Sequence, residues 1–277
     1  VREGRCLLHR NGLDHLNQFR TTDKSQKKTI DIFYGSGTQA HNSDFIEQAL
    51  PAIERILAEM PQVRLVVVGY LRLPKEFRTR FVEQYRQLPP VKSVQAYWSL
   101  LEQADINIAV LQDARLNDCK SELKWFEAAC FGIPSVVSRT ANYRDVVKDG
   151  EDAFLAATPD EWYGALKRLT KSVELRQKVG QAALQRAKED YSLEALGGHL
   201  SEQLEEVAAQ AQPRRRKLAL VNVFFPPQAI GGATRVVADN FSALRKHYAE
   251  ELDVCVFTAD AEYRTPHEMT VYRYKDC

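Results

Sequence analysis

The sequence predicts an α/β protein built on an open parallel β-sheet. Strand-like and helix-like segments alternate from residue 29 to residue 158, and such alternation gives right-handed crossovers between parallel strands. Residues 63–68 and 105–111 are almost continuously apolar, as strands buried on both faces are. Ligands of such sheets bind beyond the carboxyl ends of the strands. The loops expected to gather there are residues 35–43, 69–74, 112–121 and 139–143.

The individual elements follow from periodicity and from capping residues. Strands are predicted at residues 29–34, 63–68, 91–95, 105–111, 135–138 and 153–155. Helices are predicted at residues 46–57, 75–88, 97–103, 122–131 and 143–148. The limits of the helix at 122–131 are the clearest, because Ser121 can cap its N-terminus, Gly132 suits the position after its end, and Pro134 prevents it from continuing.

The remainder of the chain predicts a second, incomplete unit. Residues 159–207 read as charged helices, and the basic run that follows favours a solvated connector over a nucleic-acid or membrane contact. A new strand, a loop with Gly231 and Gly232, a helix and another strand come next. The predicted segments are a connector (1–28), a domain (29–207), a basic linker (208–216) and the truncated start of a second domain (217–277).

Composition narrows the class of protein. The 277 residues are 44% hydrophobic and 27% charged, which is typical of a globular protein with a sizeable core. The net charge of +1 favours no nucleic-acid partner, and no apolar run approaches the roughly 20 residues of a membrane span. Five scattered cysteines indicate a reducing cytoplasmic compartment, and the histidines lack metal-ligand spacing, so no metal site is predicted. Both ends look cut, so we expect a piece of a longer protein.

Residues 117–134 carry the most chemical information. A helix N-terminus offers free backbone amides and a positive dipole end. Lys120 and Lys124 add cations beside it, and Glu127 sits mid-helix, where a carboxylate can accept hydrogen bonds from a sugar hydroxyl. This arrangement fits a nucleotide-sugar, with diphosphate at the helix mouth and ribose one turn away. An ordinary amphipathic helix with a solvated Glu127 is the alternative interpretation.

The loop after the first predicted strand is the second candidate. Gly35 and Gly37, on either side of Ser36, would let backbone amides approach an anion closely. His41 is either part of such a site or a surface residue at the start of the next helix, which Asn42 or Ser43 can cap.

The segment CKSELKWFEAACFGIPSVVS resembles the nucleotide-sugar-binding segment of retaining glycosyltransferases of family 4, the group 1 type, which have the GT-B fold of two Rossmann-like domains. A helix glutamate of that family precedes Ala-x-x-x-Gly-x-Pro and binds the donor ribose, and Glu127 matches it. The family often has an earlier glutamate where this chain has Cys119. The resemblance implies these donor-binding residues: Gly35, Ser36, Gly37, His41, Lys120, Ser121, Lys124 and Glu127.

Other segments extend the resemblance along the chain. Residues 10–19 are similar to the family's connector into its C-terminal domain, and residues 142–155 to the segment that follows the donor site. In the family's first-strand loop an arginine and a lysine often clasp the diphosphate, whereas His41 stands in a variant of the form SGTxxHNxDF. Residues 221–235, with Gly231 and Gly232, resemble the Gly-rich loop of an N-terminal domain, so they would begin a second transferase in tandem.

The resemblance implies a glycosyltransferase of the hexosyl type. It would transfer a glycosyl group, with retention, from a nucleotide-diphosphate sugar to a saccharide or lipid-linked acceptor in polysaccharide or cell-envelope glycan synthesis. It implies no cofactor beyond that donor. It also implies a cytoplasmic location, either free or peripheral at the inner face of the membrane. The missing N-terminal domain of the same polypeptide would hold the acceptor, so this piece alone is expected to be nearly inactive, and no catalytic residue is assigned. The rivals are a nucleotide-sugar epimerase and a non-catalytic nucleotide-sugar-binding or scaffold module.

Overall fold

A computed structural model describes residues 7–12, 19–24, 26–209, 216–222, 232–259 and 271–274, with side chains except at 115–116, 258–259 and 271–274. The chain divides into two compact units. The first unit is residues 12–197, and the second combines residues 1–11 with residues 198–277. The limits predicted above for the four segments stay predictions.

A six-stranded sheet forms the frame of the first unit and confirms the predicted fold class. All of its neighbouring strands are parallel, and their order is β3-β2-β1-β4-β5-β6. From β1 the chain moves outward to β3 and then returns to the other side of β1, so the direction of winding reverses between β1 and β4. The strands are β1 (Ile30–Ser36), β2 (Val63–Gly69), β3 (Tyr85–Leu88), β4 (Ile106–Ala109), β5 (Ser135–Ser138) and β6 (Phe154–Ala156).

Helices connect these strands and continue beyond them. A 3₁₀ turn at Gln39–His41 and a π-helical segment at Phe45–Ala49 flank the first short helix. The helices are α1 (Asn42–Asp44), α2 (Leu50–Glu59), α3 (Lys75–Arg80), α4 (Val94–Leu101), α5 (Arg115–Asp118), α6 (Leu123–Ala129), α7 (Ala141–Val146), α8 (Pro159–Lys171), α9 (Val173–Tyr191) and α10 (Leu193–Ala209).

The core lies on both faces of the sheet because alternate strand residues point to opposite sides. Ile32 of β1 belongs to a fully buried cluster with residues of α2 and α8. The next residue, Phe33, belongs to a cluster on the other face with residues of α4. Residues of α6, α7 and α9 form a further buried cluster with Ala109 and Val137. The sheet is thus covered on both faces, which is why strands such as β2 and β4 are largely apolar.

For two segments the predicted type of secondary structure is wrong. The helix predicted at 75–88 ends at Arg80, and the chain then forms β3, because Tyr85 to Leu88 pair in parallel with β2. The strand predicted at 91–95 does not form, since α4 begins at Val94 and the Ser93 hydroxyl accepts a hydrogen bond from Ala96 N at 3.3 Å. Edge pairing decided the first case, and the N-cap of α4 decided the second.

The helix predicted at 122–131 is the shorter α6, and its predicted cap is wrong. Glu122, not Ser121, occupies the N-cap position, and its side chain makes no capping hydrogen bond. Gly132 follows the helix with φ of +63°, a conformation that glycine adopts without strain.

The described part of the second unit contains a three-stranded sheet of its own. Strands β7 (Arg216–Val221) and β8 (Leu252–Ala259) are parallel, and α11 (Gly232–Tyr248) lies between them in sequence. Strand β9 (Val271–Tyr274) pairs antiparallel with β8. Phe241 and Leu244 of α11 form a small buried cluster with Val254 and Val256. This β-α-β arrangement is that of the predicted partial Rossmann-like unit.

Two helical glycines make a matched test of packing between α9 and the residues after α6. A Cβ added at Gly180 would lie 1.9 Å from the Gly132 carbonyl oxygen, whereas a Cβ at Gly164 of α8 would meet nothing within 4 Å. We expect Gly180→Ala to destabilise the chain by about 1–3 kcal/mol, because backbone must move. Gly164→Ala should stabilise it by up to about 1 kcal/mol through helix propensity. Urea unfolding of both variants checks this, and an equal change in both would contradict the packing described.

Candidate functional site

The point where the strand order reverses brings together two segments that are distant in sequence. In open α/β sheets a crevice lies at the carboxyl ends of the strands at this point. The segment after β1 carries His41, and the segment after β4 carries Lys120. Lys120 Nζ makes a hydrogen-bond contact with His41 Nε2 across 79 residues of sequence. Two of the predicted donor-binding residues therefore meet at the sheet edge where a ligand was expected.

Local hydrogen bonds hold His41 in place. The Thr38 hydroxyl caps the 3₁₀ turn by accepting from Ala40 N at 3.3 Å, and the Ser36 hydroxyl donates to Thr38 O at 3.1 Å. The ring nitrogen Nδ1 of His41 lies 2.8 Å from Asp44 Oδ2. The side chain of Asp44 is only 6% exposed. The loop therefore presents an imidazole that is supported from beneath by a buried carboxylate.

The two glycines of this loop have different surroundings. A Cβ at Gly35 would lie 2.3 Å from the Tyr97 hydroxyl oxygen, so Gly35 makes room for a half-buried tyrosine of α4. A Cβ at Gly37 would meet nothing within 4 Å, and Gly37 is exposed. Packing thus explains Gly35, while Gly37 leaves the backbone open to approach by a ligand.

Glu127 lies on the inward face of α6. Its Oε1 accepts a hydrogen bond of 3.0 Å from the indole Nε1 of Trp98 in α4, and the residue is only 9% exposed. No described residue donates a hydrogen bond to its Oε2. The alternative interpretation of Glu127 as a solvated surface carboxylate is therefore wrong, and one of its oxygens is left to accept from a ligand.

Lys124 lies one turn before Glu127 and is half-buried. Its Nζ is 4.8 Å from the centre of the Tyr34 ring, a cation–π contact from β1. Within the described part of the chain this ammonium has no hydrogen-bond acceptor and no carboxylate within 4 Å. A desolvated cation without an acceptor is a position where an anionic ligand would be stabilised.

Burial shifts the ionisation of these groups toward neutrality. It raises the pKa of Glu127 to about 7 and lowers the pKa of Lys124 to about 8, and each charge partly opposes the shift of the other. Burial also lowers the pKa of Lys120, an effect that the Asp44 carboxylate opposes. Such shifts cluster at functional sites, because charged groups held away from water bind ligands more strongly.

The residues just before α6 connect the start of this helix to α7 and α9. Glu122 is 1% exposed. Its carboxylate accepts from the Tyr191 hydroxyl of α9 at 2.6 Å and from Asn142 Nδ2 of α7 at 3.1 Å. Ser121 is half-buried, and Cys119, where the resembling family often has glutamate, is exposed. The buried carboxylate at this end of α6 is thus Glu122, and it binds protein groups.

Sequence reasoning missed three residues that shape this site. Asp44 could have been found, because it follows His41 by three positions on a helical turn, where side chains meet. Trp98 and Tyr34 come from α4 and β1, and no pattern in the sequence relates them to Glu127 and Lys124. Of the predicted second-unit loop, Gly231 lies outside the described residues, and Gly232 is the first residue of α11.

No helix among the described residues is long and apolar enough to cross a membrane. In the same residues, no group of three or more His, Cys, Asp or Glu side chains is placed to hold a metal ion.

Residues 48–200 match the protein family described as Glycosyl transferase-like. The C-terminal domain of a glycosyl transferase group 1 family protein (LpcC) from Francisella tularensis has a TM-score of 0.51 at 15% identity, over 66% of this chain and 100% of that one. HepE from Anabaena, solved in complex with UDP-glucose, has a TM-score of 0.53 at 15% identity, over 72% of this chain and 57% of that one. Sucrose-phosphate synthase from Thermosynechococcus elongatus has a TM-score of 0.52 at 13% identity, over 73% of this chain and 52% of that one.

At these identities the structures show the fold alone. The chain spans little more than half the length of HepE and of sucrose-phosphate synthase, and the whole length of the LpcC domain. No curated protein matches the chain.

The raised pKa of Glu127 predicts a pH-dependent stability. Between about 4.5 and 7 the folded chain keeps the Glu127 proton that the unfolded chain loses, so the free energy of unfolding falls as pH rises through this window. Glu127→Gln removes this loss. We expect the variant to be more stable than the wild type at pH 7.5, by on the order of 2 kcal/mol, with a much smaller difference at pH 5. Urea unfolding at both pH values measures it.

The matched control is Glu151→Gln, since Glu151 is exposed. Its effect should be small and the same at both pH values. A Glu127→Gln effect that does not change with pH would contradict the burial of an ionisable Glu127.

Proposed function

The chain belongs to the glycosyl transferase-like family, and we propose that its first unit binds a nucleotide-diphosphate sugar at the carboxyl ends of β1 and β4. One observation carries the proposal. His41 from the segment after β1, and Lys120, Lys124 and Glu127 from the segment after β4, assemble where the strand order reverses. Cations and a carboxylate with a free oxygen are the groups that a diphosphate and a ribose require.

The diphosphate is proposed to meet Lys120 and Lys124. Lys120 keeps donor hydrogens beyond its contact with His41, because an ammonium has three. Lys124 has no acceptor among the described residues. Charge-assisted hydrogen bonds from both would stabilise the negative charge that grows on the diphosphate as it leaves. In this proposal protein cations neutralise the diphosphate, and the reaction uses no cofactor beyond the donor.

The ribose is proposed to donate a hydroxyl to Glu127. Trp98 orients the carboxylate through Oε1 and leaves Oε2 without a protein donor. A solved structure of similar fold, HepE, holds UDP-glucose, which makes UDP the first nucleotide to test.

The full reaction is proposed from the resemblance to family 4. A parent enzyme would add an N-terminal domain that carries the acceptor, and would transfer a hexosyl group with retention to a saccharide or lipid-linked acceptor in polysaccharide or cell-envelope glycan synthesis. Its place would be the cytoplasm or the inner face of the membrane. The chain alone would bind the donor with little or no transfer.

A second candidate is a donor-binding module that does not catalyse transfer. Cys119 favours it, because this exposed residue stands where the resembling family often has a glutamate. Donor binding without transfer by the full-length parent would support this candidate over the enzyme.

Glu127→Ala should weaken nucleoside diphosphate binding at least about tenfold, since a hydrogen bond to a charged group is worth roughly 1.5–3 kcal/mol. Titration calorimetry with UDP, GDP and ADP measures it, with Glu151→Ala as the matched control on an exposed glutamate. Unchanged affinity in the variant would remove Glu127 from the site.

Lys120→Met and Lys124→Met should each reduce affinity for the nucleoside diphosphate several-fold and leave affinity for the nucleoside nearly unchanged, because they remove charge from the phosphate end only. Parallel titrations with UDP and uridine separate the two ends of the ligand. Lys171→Met is the control, since Lys171 is an exposed lysine on α8. An equal loss for both ligands would argue against contact with phosphate.

A further inference from the structure

Asp44 has one polar partner in the described part of the chain. Its side chain is 6% exposed, and its Oδ2 lies 2.8 Å from His41 Nδ1. A buried carboxylate is unfavourable unless it is paired and hydrogen-bonded. An aspartate in this position therefore needs the imidazole, and the imidazole in turn is held by the aspartate.

The contacts on the two sides of the ring determine its tautomer. The Lys120 ammonium can only donate hydrogen bonds, so His41 Nε2, which it contacts, must accept. The ring proton then sits on Nδ1 and is donated to Asp44 Oδ2. If the proton moved to Nε2, two donors would face each other, and Lys120 would leave the ring.

We propose that Asp44 is a positioning residue, which acts through His41 to hold the Lys120 ammonium at the crevice for the diphosphate of a ligand. The inference rests on the proposed function for the identity of that ligand. Lysine side chains lose much rotamer freedom on binding. A lysine already held against His41 has lost part of it, so the diphosphate meets a cation in place.

The charges near these contacts are consistent with a charged Lys120 at the site. The Asp44 carboxylate favours the charged form of Lys120, and Lys124 on α6 carries the next cation of the site. Asp44 lies on α1, His41 in the preceding 3₁₀ turn and Lys120 beyond β4. The link therefore joins the two segments that flank the crevice.

The test uses the full chain with Asp44→Asn, His41→Gln and the double variant. Asparagine keeps the shape of aspartate, but its amide can donate to Nδ1 and so favour the Nε2–H tautomer. Nitrogen-15 NMR of the labelled imidazole should show Nδ1–H in the wild type and a shift toward Nε2–H in Asp44→Asn. Asp145→Asn is the control, since Asp145 is an exposed aspartate on α7.

Binding of inorganic pyrophosphate is measured on the same proteins. Asp44→Asn should weaken it about tenfold, which is about 1.4 kcal/mol. In the His41→Gln background the same substitution should change it less than about twofold, because the two residues act in series. Additive losses, or an unchanged tautomer in Asp44→Asn, would overturn the inference in favour of a structural role.

UDP separates this inference from the proposed function. If the wild type binds pyrophosphate with the expected Asp44 dependence but binds UDP no more tightly, the positioning role stands and the nucleotide site is wrong. If UDP binds more tightly and Asp44→Asn has no effect on either ligand, the positioning role is wrong and the site stands. A wild type that binds neither ligand overturns both.

Discussion

Strand β1 is hydrogen-bonded to β2 on one side and to β4 on the other, and the rest of the first unit depends on this double pairing. Because both pairings are parallel, the chain must leave β1 in one direction and later return to its opposite side. The segments that follow β1 and β4 thus leave the carboxyl ends of neighbouring strands, where sheets of this kind commonly bind ligands. His41 and Lys120 meet there although 79 residues separate them.

The candidate site contains ionisable side chains, which are seldom buried in a protein core. Asp44 and Glu127 are buried and Lys124 is half-buried, and burial moves the pKa of Glu127 up and that of Lys124 down. Each group costs stability in the folded chain unless a partner compensates it. The clusters of apolar residues on both faces of the sheet offset that cost. This balance between stability and function is common where a protein prepares a binding site.

The family and the fold of the chain are shown, whereas its reaction is a proposal. A match over residues 48–200 places the chain among glycosyl transferase-like proteins, and solved structures at 13–15% identity show its fold. Function resides in sites that are grafted on folds, and this chain departs from the pattern of the family that it resembles at the exposed Cys119. The buried Glu122 beside it binds Tyr191 and Asn142 instead of projecting into the crevice.

The sequence by itself determined the alternation of strands and helices, the buried strands β2 and β4, the glycine that follows α6, and the choice of Lys120, Lys124 and Glu127 as candidates, because these features are local or periodic. Only the tertiary structure decided that residues 85–88 pair as an edge strand and that Trp98 orients Glu127. The same holds for the contact between His41 and Lys120. Such contacts join residues far apart in the chain, and no local pattern encodes them, since they exist only once the sheet has set which segments are neighbours.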